Sequence, residues 1–430
     1  MIQGKKKEVL ENLQPSKHLE RLSIISYCGV QFPSWVFDNS LSNLVSLRLL
    51  RCKYCLSLPP LGCLSSLKTL IIRGFDGIVS IGDEFYGSNS SSFVSLERLE
   101  FWNMKEWEEW ECKTTSFPRL QCLSVDRCPK LKGLSEHLLH LKVLIFGGCD
   151  KFIISENNMD TSSLERLRVY TCSVVIIPMT HYDLLEEMRI DGGWDSLIIF
   201  PLDFFPKLSL LELRRCQNLR RISQEYAHNH LKELTIHDCR QFESFPNEGL
   251  SAPRLQLIAI EGCENLKLFP KRMQILLSSL TEFKIVECPK VEMFPEEGLP
   301  SNVKHMSLSS LKLIASLRET LDANTCLQRL SIEKVDVECF PDEVLLPRSL
   351  TSLEICYSRN LKKMEYKGLC HLSSLKLWDC PNLQCLPEKG LPKSISSLQI
   401  WNCPLLKRRC QNPDGEDWGK IAHIQQLNIL

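Results

Sequence analysis

Apolar residues recur along this chain with a single spacing. The clearest copy runs Leu372, Leu375, Leu377, Cys380, Leu383 and Leu386, and Pro387 closes it. Seventeen such copies start at residues 19, 44, 67, 96, 120, 141, 164, 185, 208, 231, 255, 280, 303, 327, 350, 372 and 395, and their intervals average 23.5 residues. Counted from the first apolar residue, the pattern is 0, +3, +5, +8, +11 and +14. None of the 51 residues at 0, +3 and +5 is polar, in a chain that is only 43% hydrophobic. The alternation around +3 and +5 predicts a short strand with one buried face. Ile or Val fills +5 in eleven copies, and these types suit a pleated, packed surface. A continuous amphipathic helix does not fit, because +5 lies ~140° from position 0 on a 3.6-residue turn. Cys-Pro pairs at 128–129, 288–289, 380–381 and 403–404 would also break it.

One winding of this size cannot hide its own leucines, whereas stacked windings cover each other's apolar edges. The expected fold is therefore an α/β horseshoe, a leucine-rich-repeat solenoid of about 17 coils. One long curved parallel β-sheet lines its concave face, with short irregular or 3-10 helical arcs on the convex side. Strands ~4.8 Å apart make that sheet roughly 80 Å long. Phe245-Pro246, Phe269-Pro270, Phe294-Pro295, Leu386-Pro387 and Leu58-Pro59 read as arc closures. Pro246–Leu250, Pro295–Leu299 and Pro387–Leu391 share the pattern Pro-x-x-Gly-Leu, with Gly supplying an unusual backbone angle. The arcs holding Pro178, Phe200-Pro201 and Phe340-Pro341 are shifted relative to the rest. The boundaries read as a remnant arc of an upstream repeat over 1–18, the solenoid over 19–410 and a C-terminal tail over 411–430. Leu19, Leu22 and Ile24 then form an open apolar edge, so the first coil is expected to order poorly or to aggregate when the chain is expressed alone.

Charge is balanced, 52 basic against 52 acidic residues, and gives no footprint for nucleic acid or an acidic membrane. Lys5-Lys6-Lys7 and Lys407-Arg408-Arg409 read as solvated clusters near the ends. No run of ~18 apolar residues suggests a membrane span, and Met1–Lys7 lacks the apolar core of a secretory signal. There is one glycosylation sequon, at Asn89.

Ten of the 21 cysteines occupy +8: Cys52, Cys128, Cys149, Cys172, Cys216, Cys239, Cys263, Cys288, Cys380 and Cys403. A small side chain packed inside each coil explains that column better than disulfides, which require secretion. Zinc is also disfavoured, because Cys52 and Cys55 form the single C-x-x-C and no second pair follows at ligand spacing. No nucleophile, zincin or kinase signature occurs, and Gly415–Lys420 has the wrong spacing for a phosphate loop. The expectation is a binding protein without catalytic residues, cofactor or metal.

Four stretches carry a family likeness: Tyr27–Trp35, Leu58-Pro-Pro-Leu-Gly62, Ile81-Gly-Asp-Glu-Phe-Tyr-Gly87 and Met104-Lys-Glu-Trp-Glu-Glu-Trp110. Phe117-Pro-Arg-Leu120, Cys128-Pro-Lys-Leu131 and the ending Gly415–Ile424 follow in the same order. With these the chain resembles the leucine-rich-repeat region of coiled-coil-type plant nucleotide-binding leucine-rich-repeat disease resistance proteins. The resemblance implies a cytoplasmic module that senses a pathogen effector or a modified host protein. It also implies contact with the nucleotide-binding and coiled-coil domains of a full-length receptor. The phosphate loop, paired-Asp strand and Met-His-Asp motif of that switch do not occur here, so this chain is expected to bind neither ADP nor ATP.

Partner contacts are expected on the concave face, at positions +1, +2, +4, +6 and +7. Three patches stand out in the +4, +6 and +7 columns. Arg48, Arg51, Arg73 and Trp102 lie near the N-terminus. Arg168, Tyr170, Arg189, Arg214 and Arg215 form a basic strip, followed by Asp238, Glu261 and Glu287 of opposite sign. Tyr357, Trp378 and Trp401 form an aromatic ladder, the first choice for a partner site because these types dominate interface hot spots. A ladder that merely stabilises the sheet is the alternative. Substrate recruitment for ubiquitin transfer is the rival function, disfavoured because only eighteen residues precede Leu19. An extracellular receptor domain is disfavoured by the absent signal sequence.

Overall fold

The computed structural model describes residues 10, 12–13, 15–37, 41–87, 92–111, 116–133, 138, 141–153, 161–295, 297–320, 326–340, 346–347, 349–365 and 369–430. Lys5–Lys7, the Asn89 sequon and Pro341 lie outside them. All seventeen copies form their strand. Sixteen span +2 to +6, and the copy starting at 303 stops at +5. The chain divides into two compact units, Met1–Leu197 with Phe204–Gln217, and Ile198–Asp203 with Asn218–Leu430.

The first unit holds β1 (Arg21–Ile25), β2 (Ser46–Leu50), β3 (Thr69–Arg73), β4 (Arg98–Trp102), β5 (Cys122–Asp126), β6 (Val143–Gly147), β7 (Arg166–Tyr170), β8 (Glu187–Asp191) and β9 (Leu210–Arg214). Each pairs in parallel with the next. The second unit holds β10 (Glu233–His237), β11 (Leu257–Glu261), β12 (Glu282–Val286), β13 (His305–Leu308), β14 (Arg329–Glu333), β15 (Ser352–Cys356), β16 (Ser374–Trp378), β17 (Ser397–Trp401) and β18 (Gln426–Ile429), paired in the same way. Each unit is thus a leucine-rich-repeat solenoid. Equal positions stand side by side, as in Leu47 beside Leu70, so the apolar columns run unbroken along each stack. A one-residue slip would turn every core side chain outward, which is why the register holds.

Of the 51 residues at 0, +3 and +5, 49 are buried. The exceptions are Leu19 and Leu22 of the first coil, both half-buried. All ten cysteines at +8 are buried. Their thiols lie close to the +6 carbonyl of their own coil, at 3.3 Å for Cys380 and 3.4 Å for Cys288.

Between strand and cysteine the backbone turns a corner that the pattern does not announce. In sixteen of the seventeen copies the +7 residue has positive φ, and only Gly74, Gly148, Gly192 and Gly262 among them are glycines. The exception, Ser310, leads into α1 (Leu311–Thr320) instead. At the corner the +7 N–H still donates to the +6 carbonyl of the next coil, as Asn103 does to Asp126 at 2.8 Å and Tyr357 to Trp378 at 3.0 Å. The ladder thus runs on through the corner at these positions while the +8 side chain swings inside; at Glu287 the N–H donates to the Ser309 hydroxyl at 2.7 Å instead.

The arcs explain several family stretches as packing. Phe85, Tyr86, Trp107 and Trp110 are all buried, in one ring cluster with Phe93, Phe101 and Phe117. Tyr86 accepts from Trp110 Nε1 at 2.8 Å and donates to the Glu111 carbonyl at 2.7 Å, so the polar tips are satisfied. In the three Pro-x-x-Gly turns Gly249, Gly298 and Gly390 have φ of 100°, 81° and 80°. Each glycine N–H donates to its turn proline's carbonyl at 2.9 Å.

The segment read as a tail carries β18, an eighteenth strand. Before it, Asp417 is fully buried and accepts from Leu386 N–H at 3.0 Å, Arg409 at 3.1 and 3.3 Å, and Lys420 at 2.9 Å. Burial opposes the charge, but Arg409, the Leu386 amide and Lys420 outweigh it and hold the carboxyl below its usual range.

Candidate interaction surface

On each strand +3 and +5 point inward, which leaves +2, +4 and +6 on the open face of the sheet. The sequence places its three patches there, and the structure treats them differently.

In the N-terminal patch Arg48 and Arg51 are exposed and pair with no carboxylate among the described residues. Arg73 is engaged. With Arg98 it clamps the buried Glu100, at 2.8 and 2.6 Å. Burial raises the Glu100 pKa, and the two guanidinia more than reverse that. Trp102 donates to Asp126 at 2.7 Å, and the Arg127 guanidinium covers its ring at 5.1 Å. That indole is tied down rather than displayed.

The mid-chain strip is not basic. Arg168 grips Glu187 through two bonds of 2.9 and 3.1 Å, and Arg189 bridges Glu187 at 2.5 Å and Glu212 at 2.7 Å. Arg214 binds the same Glu212, and Arg215 binds Asp191 at 2.7 Å. Cations and carboxylates therefore alternate across β7, β8 and β9. Reading cations alone hid this, since Glu187 at +2 and Glu212 at +4 sit within reach of arginines on neighbouring strands. Tyr170 is no free aromatic either: a Cβ on Gly147 would come within 2.1 Å of its ring. Burial, with Asp126 beside it, pushes its phenol up to about 12.

The acidic run after the strip is compensated too. Glu261 meets Lys284 at 3.3 Å and Lys334 at 3.8 Å, and Glu287 binds Lys334. Asp238 lies 3.1 Å from the His237 ring.

The C-terminal patch is different. Trp378 and Trp401 stand side by side on β16 and β17 with ring centroids 5.2 Å apart and planes tilted by 47°. Trp401 remains 51% exposed, and Leu430, just past β18 in the same column, 53%. Tyr357 is 49% exposed but stands at the corner, because Cys356 is the register partner of Trp378. Beside the rings the sheet carries Ser374, Ser397, Gln399, Gln426 and Asn428; Lys376 and Glu354 face each other at 4.0 Å, and the Asp379 carboxylate, next to Trp378 in the chain, accepts from Asn402. The Leu430 end of this column lies in the segment read as a tail, so the strand pattern did not reveal it.

Comparison with known proteins follows the same lines. A family model described as R13L1/DRL21 LRRs matches residues 2–75. A disease resistance RPP13-like protein of Arabidopsis thaliana is 34% identical over 279 residues, 60% of this chain and 24% of that protein. Over these segments the chain is similar to plant disease resistance proteins, and its first repeats match a leucine-rich-repeat family model. A second Arabidopsis disease resistance protein is 44% identical over 133 residues, 29% of this chain and 9% of the relative. Disease resistance protein RGA2 of Solanum bulbocastanum is 30% identical over 151 residues, 32% and 15% of the two chains. The chain thus spans a quarter or less of the length of these relatives. Among solved structures, the circular leucine-rich-repeat protein CroV588 aligns over 93% of this chain and 68% of its own, with 13% identity and a TM-score of 0.41. Among the described residues no group of three or more His, Cys, Asp or Glu could hold a metal ion, and no helix is long and apolar enough to cross a membrane.

Proposed function

We propose that this chain is the recognition module of a plant intracellular immune receptor. In this reading it binds a pathogen effector or a modified host protein in the cytoplasm, performs no catalysis and contacts a nucleotide-binding switch that lies outside it. The observation that supports this most is the Trp378–Trp401–Leu430 column. It leaves large apolar area exposed on a part of the sheet whose other strand positions carry Ser, Gln, Asn and the facing Lys376 and Glu354, with the Asp379 carboxylate at the corner beside it. Depletion of net charge around exposed aromatics is the composition of an interface core, and apolar area of this kind has no folding reason to face water.

The test is retention of protein from infected and healthy leaf extracts on the immobilised chain, for the wild type and for Trp378→Ala with Trp401→Ala. The expected result is a species specific to infected tissue that the double variant loses, with folding stability unchanged within ~1 kcal/mol. A less stable double variant that retains the species equally would make the rings a sheet-stabilising pair and overturn this site.

A further inference from the structure

The sheet of the second unit has an open edge at β18. Among the described residues this strand pairs with β17 alone. Gln426 and Leu430 donate their N–H groups to the Ser396 and Ile400 carbonyls at 3.0 and 2.9 Å, and Asn402 donates to the Leu430 carbonyl. Backbone groups alternate in direction along a strand, so the N–H and C=O of Leu427 and Ile429 face away from β17. Their side chains continue the +3 and +5 core columns. Leu398 and Ile400 of the preceding coil are buried, whereas Leu427 and Ile429 are only half-buried. The usual guards of an edge strand are missing, since Gln426, Leu427, Asn428, Ile429 and Leu430 include neither a charged side chain nor a proline.

We propose that two copies of this chain pair through β18, antiparallel about a twofold axis at Asn428. Residues that exchange both hydrogen bonds in an antiparallel pair must point their backbone groups at each other. With Asn428 opposite its own counterpart, Leu427 meets Ile429 of the second copy and Ile429 meets Leu427. Every outward N–H and C=O of the two residues then finds a partner. Directly opposite side chains share a face, so the same register also sets Leu427 against Ile429 on the core side. On the open face Leu430 meets Gln426, and the two Asn428 amides offer each other a donor and an acceptor. Centring on Leu427 instead sets Ile429 against Gln425 and loses that match. The edge is thus complementary to itself, which is why a second copy is its occupant. The contact is one strand long, well under the ~1,200 Å² of a standard interface, so the pairing is reversible. It goes beyond the recognition role and uses none of that role's partners, so either reading can fail alone.

Analytical ultracentrifugation of the full chain from ~1 to ~200 μM tests it. The expected result is a reversible shift from 49.5 kDa toward twice that mass, with no larger species. Ile429→Lys should raise the concentration needed for pairing by at least about tenfold, because a charge facing inward on an edge blocks strand addition. In the single copy that lysine reaches water from a half-buried site, so the melting temperature should stay near that of the wild type. Asn428→Cys reads the register, because opposite residues that exchange no bonds stand ~4.5 Å apart, within reach of a disulfide. Diamide should link this variant into a dimer on a non-reducing gel. Gln426→Cys, whose two copies would stand ~13 Å apart, should link no more than the wild type. A single copy at every concentration, a dimer indifferent to Ile429→Lys, or equal linking of the two cysteine variants overturns the pairing. An open-ended series of oligomers overturns it as well, and would assign the edge to the first strand of another copy.

Discussion

A left-handed corner recurs at +7, mostly in residues that carry a Cβ, including Arg51, Thr171 and Tyr357. Such a residue gives up roughly 1–2 kcal/mol relative to glycine in this conformation. Two things offset it: the +7 N–H keeps its bond to the next coil, and the following side chain is delivered to the interior. Arg51 is a clean place to measure the strain, since its φ is 59° and no described carboxylate pairs with it. Arg51→Gly should raise the urea midpoint by the equivalent of up to ~1 kcal/mol, less the added freedom of the unfolded chain. Arg51→Val should lower it by ~1–2 kcal/mol, because β-branching clashes in the left-handed well. The reverse order would show that the corner is not strained.

At the scale of elements, residues 411–430 pack onto the last coils of the second unit. Their strand extends the sheet, and the buried Asp417 ties them to Leu386, Arg409 and Lys420. A carboxyl held below its usual range contributes stability that is fully present above its unfolded pKa and fades as pH falls through its lower folded value. The Leu386–Lys420 region should therefore open on acidification below about pH 4. Asp417→Asn should cost about 3 kcal/mol near neutrality, since it leaves a buried pair broken. It should also flatten that acid dependence, as amide exchange at Leu386 and Lys420 would show. Unchanged exchange in the variant would mean that packing of β18 alone closes the coil.

For the whole molecule, interior thiols and balanced surface charge are two results of the same repeat. Burial pushes the thiols of Cys55, Cys128 and Cys356 up to about 12 and that of Cys52 up to about 11, so they stay protonated at neutral pH. Iodoacetamide applied to the native chain should modify the exposed Cys326, Cys339 and Cys370 first. The +8 cysteines should react only once denaturant opens the coils, and mass spectrometry of the alkylated peptides distinguishes the two sets. Early labelling of Cys263 or Cys380 would mean that the coils open far more readily than their burial implies.

The strands, their register and nearly all of the core were legible in the linear pattern. Alternation decides which side chains a strand buries, and a constant period decides which strands stand together. Positions 0, +3, +5 and +8 can be read off because burial demands one residue class there, whatever the neighbours. The surface follows no such rule. Arg189 looks cationic until Glu187 and Glu212 arrive from neighbouring coils, and Trp102 looks free until Asp126 meets its indole. The corner at +7 accepts Arg, Asp, Tyr and Lys alike, because its backbone is imposed by the coils on either side. Sequence by itself determined the repeat and what it hides. Only the tertiary structure decided which charges cancel and which rings remain open, since those depend on residues some two dozen positions apart meeting across a strand spacing.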